Sequence, residues 1–280
     1  MNPTLFTIGR WPVPTYTLLL YLGLALGLLL IYFEGKRLLG SGDLALNLGV
    51  WIAVGGLLGG RIGFVLVNWA VFAEDWSRII RTWEGGLSFH GALLGGLMAL
   101  LIYTGTCRRG DYRYSSWELA DTLTLGLAVA IAFGWAACLT GACAYGRIGE
   151  GLGHMILPDL FGIEAPRFAT QAVGLAYALV LSVVWSLLRT RWPFHGAAFL
   201  MYLLLYACGM FILAFTRGDE TAHLGPWRLG QWIDLLLAAV SAAGLFILWQ
   251  RGRFVPTGLE RNDERSDLRT HQAAEQAIEP

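Results

Sequence analysis

The sequence predicts an all-α integral membrane protein of seven transmembrane helices, and three observations carry that prediction. The chain is 56% hydrophobic and only 14% charged, where a soluble domain carries about a quarter charged residues. Its mean hydropathy is +0.55. The apolar residues are gathered into runs of about 20, roughly the helix length that crosses a 30 Å hydrocarbon layer. Zero net charge and the lack of a basic block argue against nucleic acid as a partner.

The first span, 15–33, leads into YFEGKR, which is charged where a cleavage site would be small. No basic segment precedes it, so it is expected to stay in the protein. The second and third spans, 44–69 and 87–104, contain the glycine runs GGLLGGRIG and GGLSFHGALLGG, which suit close packing of helix backbones. The fourth, 119–145, is long enough to tilt or break. Spans 169–188, 195–216 and 229–249 complete the set, so residues 1–250 form one seven-span unit. From Arg251 the chain turns polar (RNDERSDLRTHQ), and 251–280 is expected to be a disordered cytoplasmic tail. Three of the four cysteines, Cys138, Cys143 and Cys208, lie in apolar runs, and Cys107 lies in a basic loop. They are expected to be small packing residues, without a disulfide framework, and no metal-ligand spacing appears.

Lys and Arg in the loops set the orientation. Loops 34–43, 105–118 and 189–194 with the tail contain twelve; the N-terminal arm and loops 70–86, 146–168 and 217–228 contain seven. The first set is predicted to be cytoplasmic, with the N-terminus outside and the C-terminus inside. Polar residues then collect near the outer face: Tyr16, Glu84, His90, Arg147, Gln171, and Arg217 with Asp219. A transporter would gather them at the midplane instead. Arg61 sits deeper, within the second span, where an arginine normally faces a cavity or a partner.

Guanidinium groups at a membrane edge suit an anionic lipid headgroup, because they bind phosphate through paired hydrogen bonds. A histidine beside them can take a proton near neutral pH. The residues thus predict a lipid-phosphate site with a candidate base, His90, and leave the reaction open. A histidine satisfied within the core is the alternative.

The order of motifs resembles the prolipoprotein diacylglyceryl transferase family. VPTYTLLLYLG is similar to its first-span motif, GGRIGFVLVNW to its second, and WEGGLSFHGALLGGL to its most diagnostic segment. GWAACLTGACAYGR shares the glycine frame of its fourth-span signature; ATQ at 169–171 and FTRGDE at 215–220 resemble its fifth- and sixth-span motifs. The resemblance implies a multi-pass enzyme of the bacterial inner membrane that uses phosphatidylglycerol as donor and the lipobox cysteine of a prolipoprotein as acceptor. It implies His90 as the catalytic base, Arg61, Arg147, Arg217, Tyr16, Glu84, Gln171 and Asp219 as substrate-binding residues, and neither metal nor cofactor.

The chain departs from the family at polar positions. The fourth-span arginine, a phosphate-binding group in the family, is Trp135. A second register would instead place Gly146-Arg147-Ile148-Gly149 on that motif. The usual sixth-span arginine and glutamate fall at Met210 and Ala214, and the tyrosine and glutamate after Gln171 are Val173 and Gly174. Two readings follow: an active transferase in which Arg61 or Arg147 replaces the missing arginine, or a non-catalytic relative that binds anionic phospholipid or lipoprotein segments.

Overall fold

A computed structural model of the chain describes residues 4–8, 11–81, 86–107 and 114–251. The helices in chain order are α1 (Thr15–Leu38), α2 (Gly42–Val67), the short α3 (Trp69–Glu74), α4 (Phe89–Cys107), α5 (Ser116–Gly141), α6 (Thr170–Leu188), α7 (Ala197–Leu213) and α8 (Leu229–Gln250). All but α3 are long and apolar enough to cross a membrane, and they match the seven predicted spans to within a few residues. Helix α1 runs on to Leu38 because Glu34 is buried there, paired with Arg37 and with Arg189 at 3.5 Å. The polar tail from residue 252 lies outside the described residues, as does Glu84.

Helix α5 stops at Gly141, short of the predicted end, and its cysteines correct an expectation. Cys138 and Cys143 form a disulfide, where packing residues were predicted. On a continuous helix, residues five apart point about 140° away from each other. Here Ala142 and Ala144 adopt left-handed φ values of 53° and 52°. The chain turns back, and the two Cα atoms come within 4.8 Å. Cys208 is free and exposed.

The glycine runs pack backbones together, as the sequence predicts. A Cβ on Gly95 of α4 would lie 2.2 Å from the Gly55 carbonyl oxygen of α2, and one on Gly59 would lie 2.4 Å from that of Gly91. No side chain fits in that seam, so the two helices touch directly. Gly27 of α1 and Gly126 of α5 form a second such contact. One apolar cluster surrounds Leu48, Leu123, Phe199 and Leu203, and another surrounds Ala128, Trp185, Tyr202 and Met210. Across the bundle, Asp121 of α5 accepts backbone N–H bonds from Gly196 (2.6 Å) and Phe199 (2.9 Å). These bonds cap the start of α7.

Seven alternating spans place four connections at the end of the bundle where α1, α4, α6 and α8 begin. Those connections carry structure that the sequence reading leaves as loops. They are the hairpin β1 (Thr4–Ile8) and β2 (Trp11–Pro14), α3 with a 3-10 turn at Trp76–Ile80, the hairpin β3 (His154–Pro158) and β4 (Glu164–Phe168), and the short pair β5 (His223–Leu224) and β6 (Trp227–Arg228).

Candidate functional site

His90 stands in the first turn of α4, at the end that carries these connections. Its Nε2 lies 3.0 Å from Oδ1 of Asp234 on α8. Asp234 is 3% exposed. A buried carboxylate in a span needs such a partner, and as acceptor it fixes the proton on Nε2. Nδ1 then carries the lone pair. Gly230 makes room for the ring, since a Cβ there would lie 2.7 Å from the imidazole Cε1. Phe89 packs edge-on against His90 and tilted against Tyr206 of α7, with both centroids at 5.6 Å.

Beyond Tyr206 lies a cluster of arginines. Arg217 holds Asp219 with two parallel bonds, Nε to Oδ1 at 2.9 Å and Nη2 to Oδ2. Arg228, buried, donates to Asp219 through its backbone oxygen (2.8 Å) and Oδ1 (3.4 Å), to Thr221 and to the Arg217 carbonyl. Arg147 donates through Nε to the same Arg217 carbonyl at 3.2 Å, with its side chain otherwise exposed. Two guanidiniums therefore share one carboxylate and a third, Arg147, stands on the Arg217 carbonyl beside them, which leaves an excess of positive charge. Burial above all pulls the Arg228 guanidinium below its ordinary value; Asp219 opposes this, and Arg217 and Arg147 add to it. Tyr206, packed on Phe89, stands on the His90 side of the site.

Trp135 stands beside Tyr206. Its Nε1 donates to the Tyr206 hydroxyl at 3.2 Å, and its ring covers Gly174, where a Cβ would meet the indole at 2.6 Å. Met210 and Ala214 are buried in apolar surroundings, and Val173 is exposed. Tyr16 packs against Gly141, 2.7 Å from an added Cβ. Gln171 is 2% exposed, and its amide oxygen has no partner among the described residues.

Arg61 stands apart from the cluster. It is buried, and its guanidinium donates to the carbonyls of Ile79 (2.8 Å), Gly86 (2.8 Å), Arg78 and Arg81 (3.3 Å). It also lies over Phe72, 5.3 Å from the centroid. Its donors bind the 76–86 connection to α2. The structure thus groups Arg147, Arg217 and Asp219 with Arg228, and pairs His90 with Asp234 at the same end of the bundle. Asp234 has a sequence signal that the reading passed over, a carboxylate inside an apolar span. Arg228 and Tyr206 look like an ordinary interface anchor and a core aromatic.

A family model described as prolipoprotein diacylglyceryl transferase matches residues 3–248. The chain is 29% identical over 266 residues to a protein of a Nostoc species, covering 91% of this chain and 92% of that one. It is 30% identical over 238 residues to a Clostridioides difficile protein, covering 84% and 91%. With a Gloeobacter violaceus protein it shares 29% over 260 residues, covering 89% and 94%. All three relatives are named phosphatidylglycerol–prolipoprotein diacylglyceryl transferase.

Proposed function

This chain belongs to the prolipoprotein diacylglyceryl transferase family, and from that premise we propose how its residues carry out the transfer. It is a multi-pass protein of the bacterial inner membrane that moves a diacylglyceryl group from phosphatidylglycerol to a prolipoprotein. The acceptor is the thiol of the lipobox cysteine, brought beside His90. Asp234 holds the Nε2 proton, so Nδ1 takes the proton of the thiol. The resulting thiolate is the effective nucleophile. It attacks the glycerol carbon that bears the phosphate. A C–S bond forms as the C–O bond breaks, and glycerol 1-phosphate leaves with the bonding electron pair.

The leaving phosphate gains a negative charge in this step. Arg217 and Arg147 face it with guanidinium groups that Asp219 only partly neutralises, and such preplaced charge lowers the barrier. Arg228 fixes the loop that presents Arg217. Gln171 offers its buried oxygen to a hydroxyl of the headgroup glycerol, and Tyr16 shapes the wall beside it. Arg61 positions the 76–86 connection, in which Glu84 lies.

The site faces outward in this reading. The Lys and Arg bias supports that sidedness, and so does the Cys138–Cys143 disulfide at the same end, since disulfides persist in oxidising compartments. One observation carries the mechanism: a histidine oriented by a buried carboxylate, at the end of the bundle that also carries the arginine cluster. The test is thioether formation on a lipobox peptide by protein reconstituted with phosphatidylglycerol. His90→Ala should form no product while remaining inserted. Arg217→Ala should lose at least about thirtyfold in rate, a phosphate having lost a charge-assisted partner. Full activity of His90→Ala would remove the base assignment.

A further inference from the structure

The β3–β4 hairpin is built inside out. Its charged pair, Asp159 and Arg167, is 7% and 6% exposed and joined at 2.9 Å. Arg167 also lies over the Tyr145 ring at 4.7 Å. Asp159 closes the turn from within, accepting the backbone N–H groups of Phe161 (2.9 Å) and Ile163 (3.0 Å). The apolar side chains of Ile156, Leu160, Phe161 and Ile163 point outward, and Phe161 is 85% exposed. A hairpin surrounded by water carries the opposite arrangement, and a contiguous apolar tip marks a surface that something else covers.

Two features select lipid as that cover. β4 reaches α6 after the single residue Ala169, so the base of the hairpin stands at the membrane surface. The stretch HMILPDLFGI, His154–Ile163, has one charged residue, Asp159, and that residue is buried; the exposed Glu164 follows it at the start of β4. The hairpin is also tied by backbone to the arginine cluster. Phe168 donates to the Arg147 carbonyl at 3.0 Å and Gly149 to that of Pro166 at 3.0 Å, while Gly146 bridges to Arg217. Two isolated bridges, Ile148 to Arg167 and Gly146 to Arg217, thus link the hairpin to Arg217.

We infer that the β3–β4 tip seats in the bilayer leaflet at this end of the bundle and so holds Arg147 and Arg217 at the level of the lipid phosphates. The depth expected of such an interfacial element is about 5–10 Å below the headgroups. The test places a nitroxide on Phe161→Cys in a Cys107→Ser, Cys208→Ser background, in nanodiscs containing phosphatidylglycerol, with Glu150→Cys as the water-exposed reference. At position 161, collisions with oxygen should exceed those with a water-soluble nickel chelate, and at position 150 the order should reverse. Leu160→Cys gives the same reading where Phe161→Cys fails to fold. A label at the tip that behaves like position 150 overturns the inference. So does a label shielded from both reagents, because another protein or a second copy would then cover the tip. The measurement needs no turnover, so it stands or falls apart from the transfer mechanism.

Discussion

At the scale of single residues, the site turns on a carboxylate that has no role except through its neighbour. Asp234 touches His90 and holds its proton on Nε2. Asp234→Asn should keep the fold and leave the KM for phosphatidylglycerol unchanged, while lowering kcat by about a hundredfold, the lower range of a general base's contribution. An equal loss in kcat and gain in KM would make Asp234 a packing residue. Trp135 supplies a second test. Gly174→Ala should destabilise the protein by about 1–3 kcal/mol, the usual cost of forcing a methyl into a filled core, read as a fall in melting temperature. Trp135→Arg alone should lower both folded yield and activity, because it removes the cover over Gly174 and sets a cation beside the aromatic rings of Tyr206 and Phe89. His90 is legible in the sequence because a histidine between glycines in an apolar run has few bland explanations. Asp234 is not, since its meaning depends on α4 and α8 meeting, and no spacing along the chain records that.

At the scale of elements, the long helices follow from apolar run lengths alone, and the α2–α4 seam follows from glycines at spacings of three and four. The hairpins at the end where α1, α4, α6 and α8 begin do not. Their strands are four or five residues long or less, and hairpins like β3–β4 invert the usual polar-out pattern. The break in α5 is equally hidden, because a helix ends at left-handed alanines only when something such as the Cys138–Cys143 bond holds the turn. Arg61 belongs to this scale as well. Arg61→Met should free the 76–86 connection by removing its hydrogen bonds to part-buried carbonyls, at about 0.5–1.5 kcal/mol each. Faster proteolysis and faster amide exchange over residues 75–88 are the expected readout, with the KM for phosphatidylglycerol unchanged in the protein that stays folded. A selective rise in that KM would return Arg61 to the substrate.

At the scale of the whole molecule, the residues proposed to react lie at one end of the bundle, and sidedness decides which compartment supplies the substrate. Alkaline phosphatase fused after Gly151 should be active, and fused after Gln250 inactive. Replacing Cys138 and Cys143 with serine should cost on the order of 2 kcal/mol, the entropy of a short cross-linked loop, measured by thermal unfolding with and without reductant. Trp135 and Gly174 also constrain each other: an indole at 135 has no room while a side chain stands at 174, and a glycine at 174 without the indole leaves a void. A change at either position alone opens a hole or forces a clash, so the two behave as one packing unit.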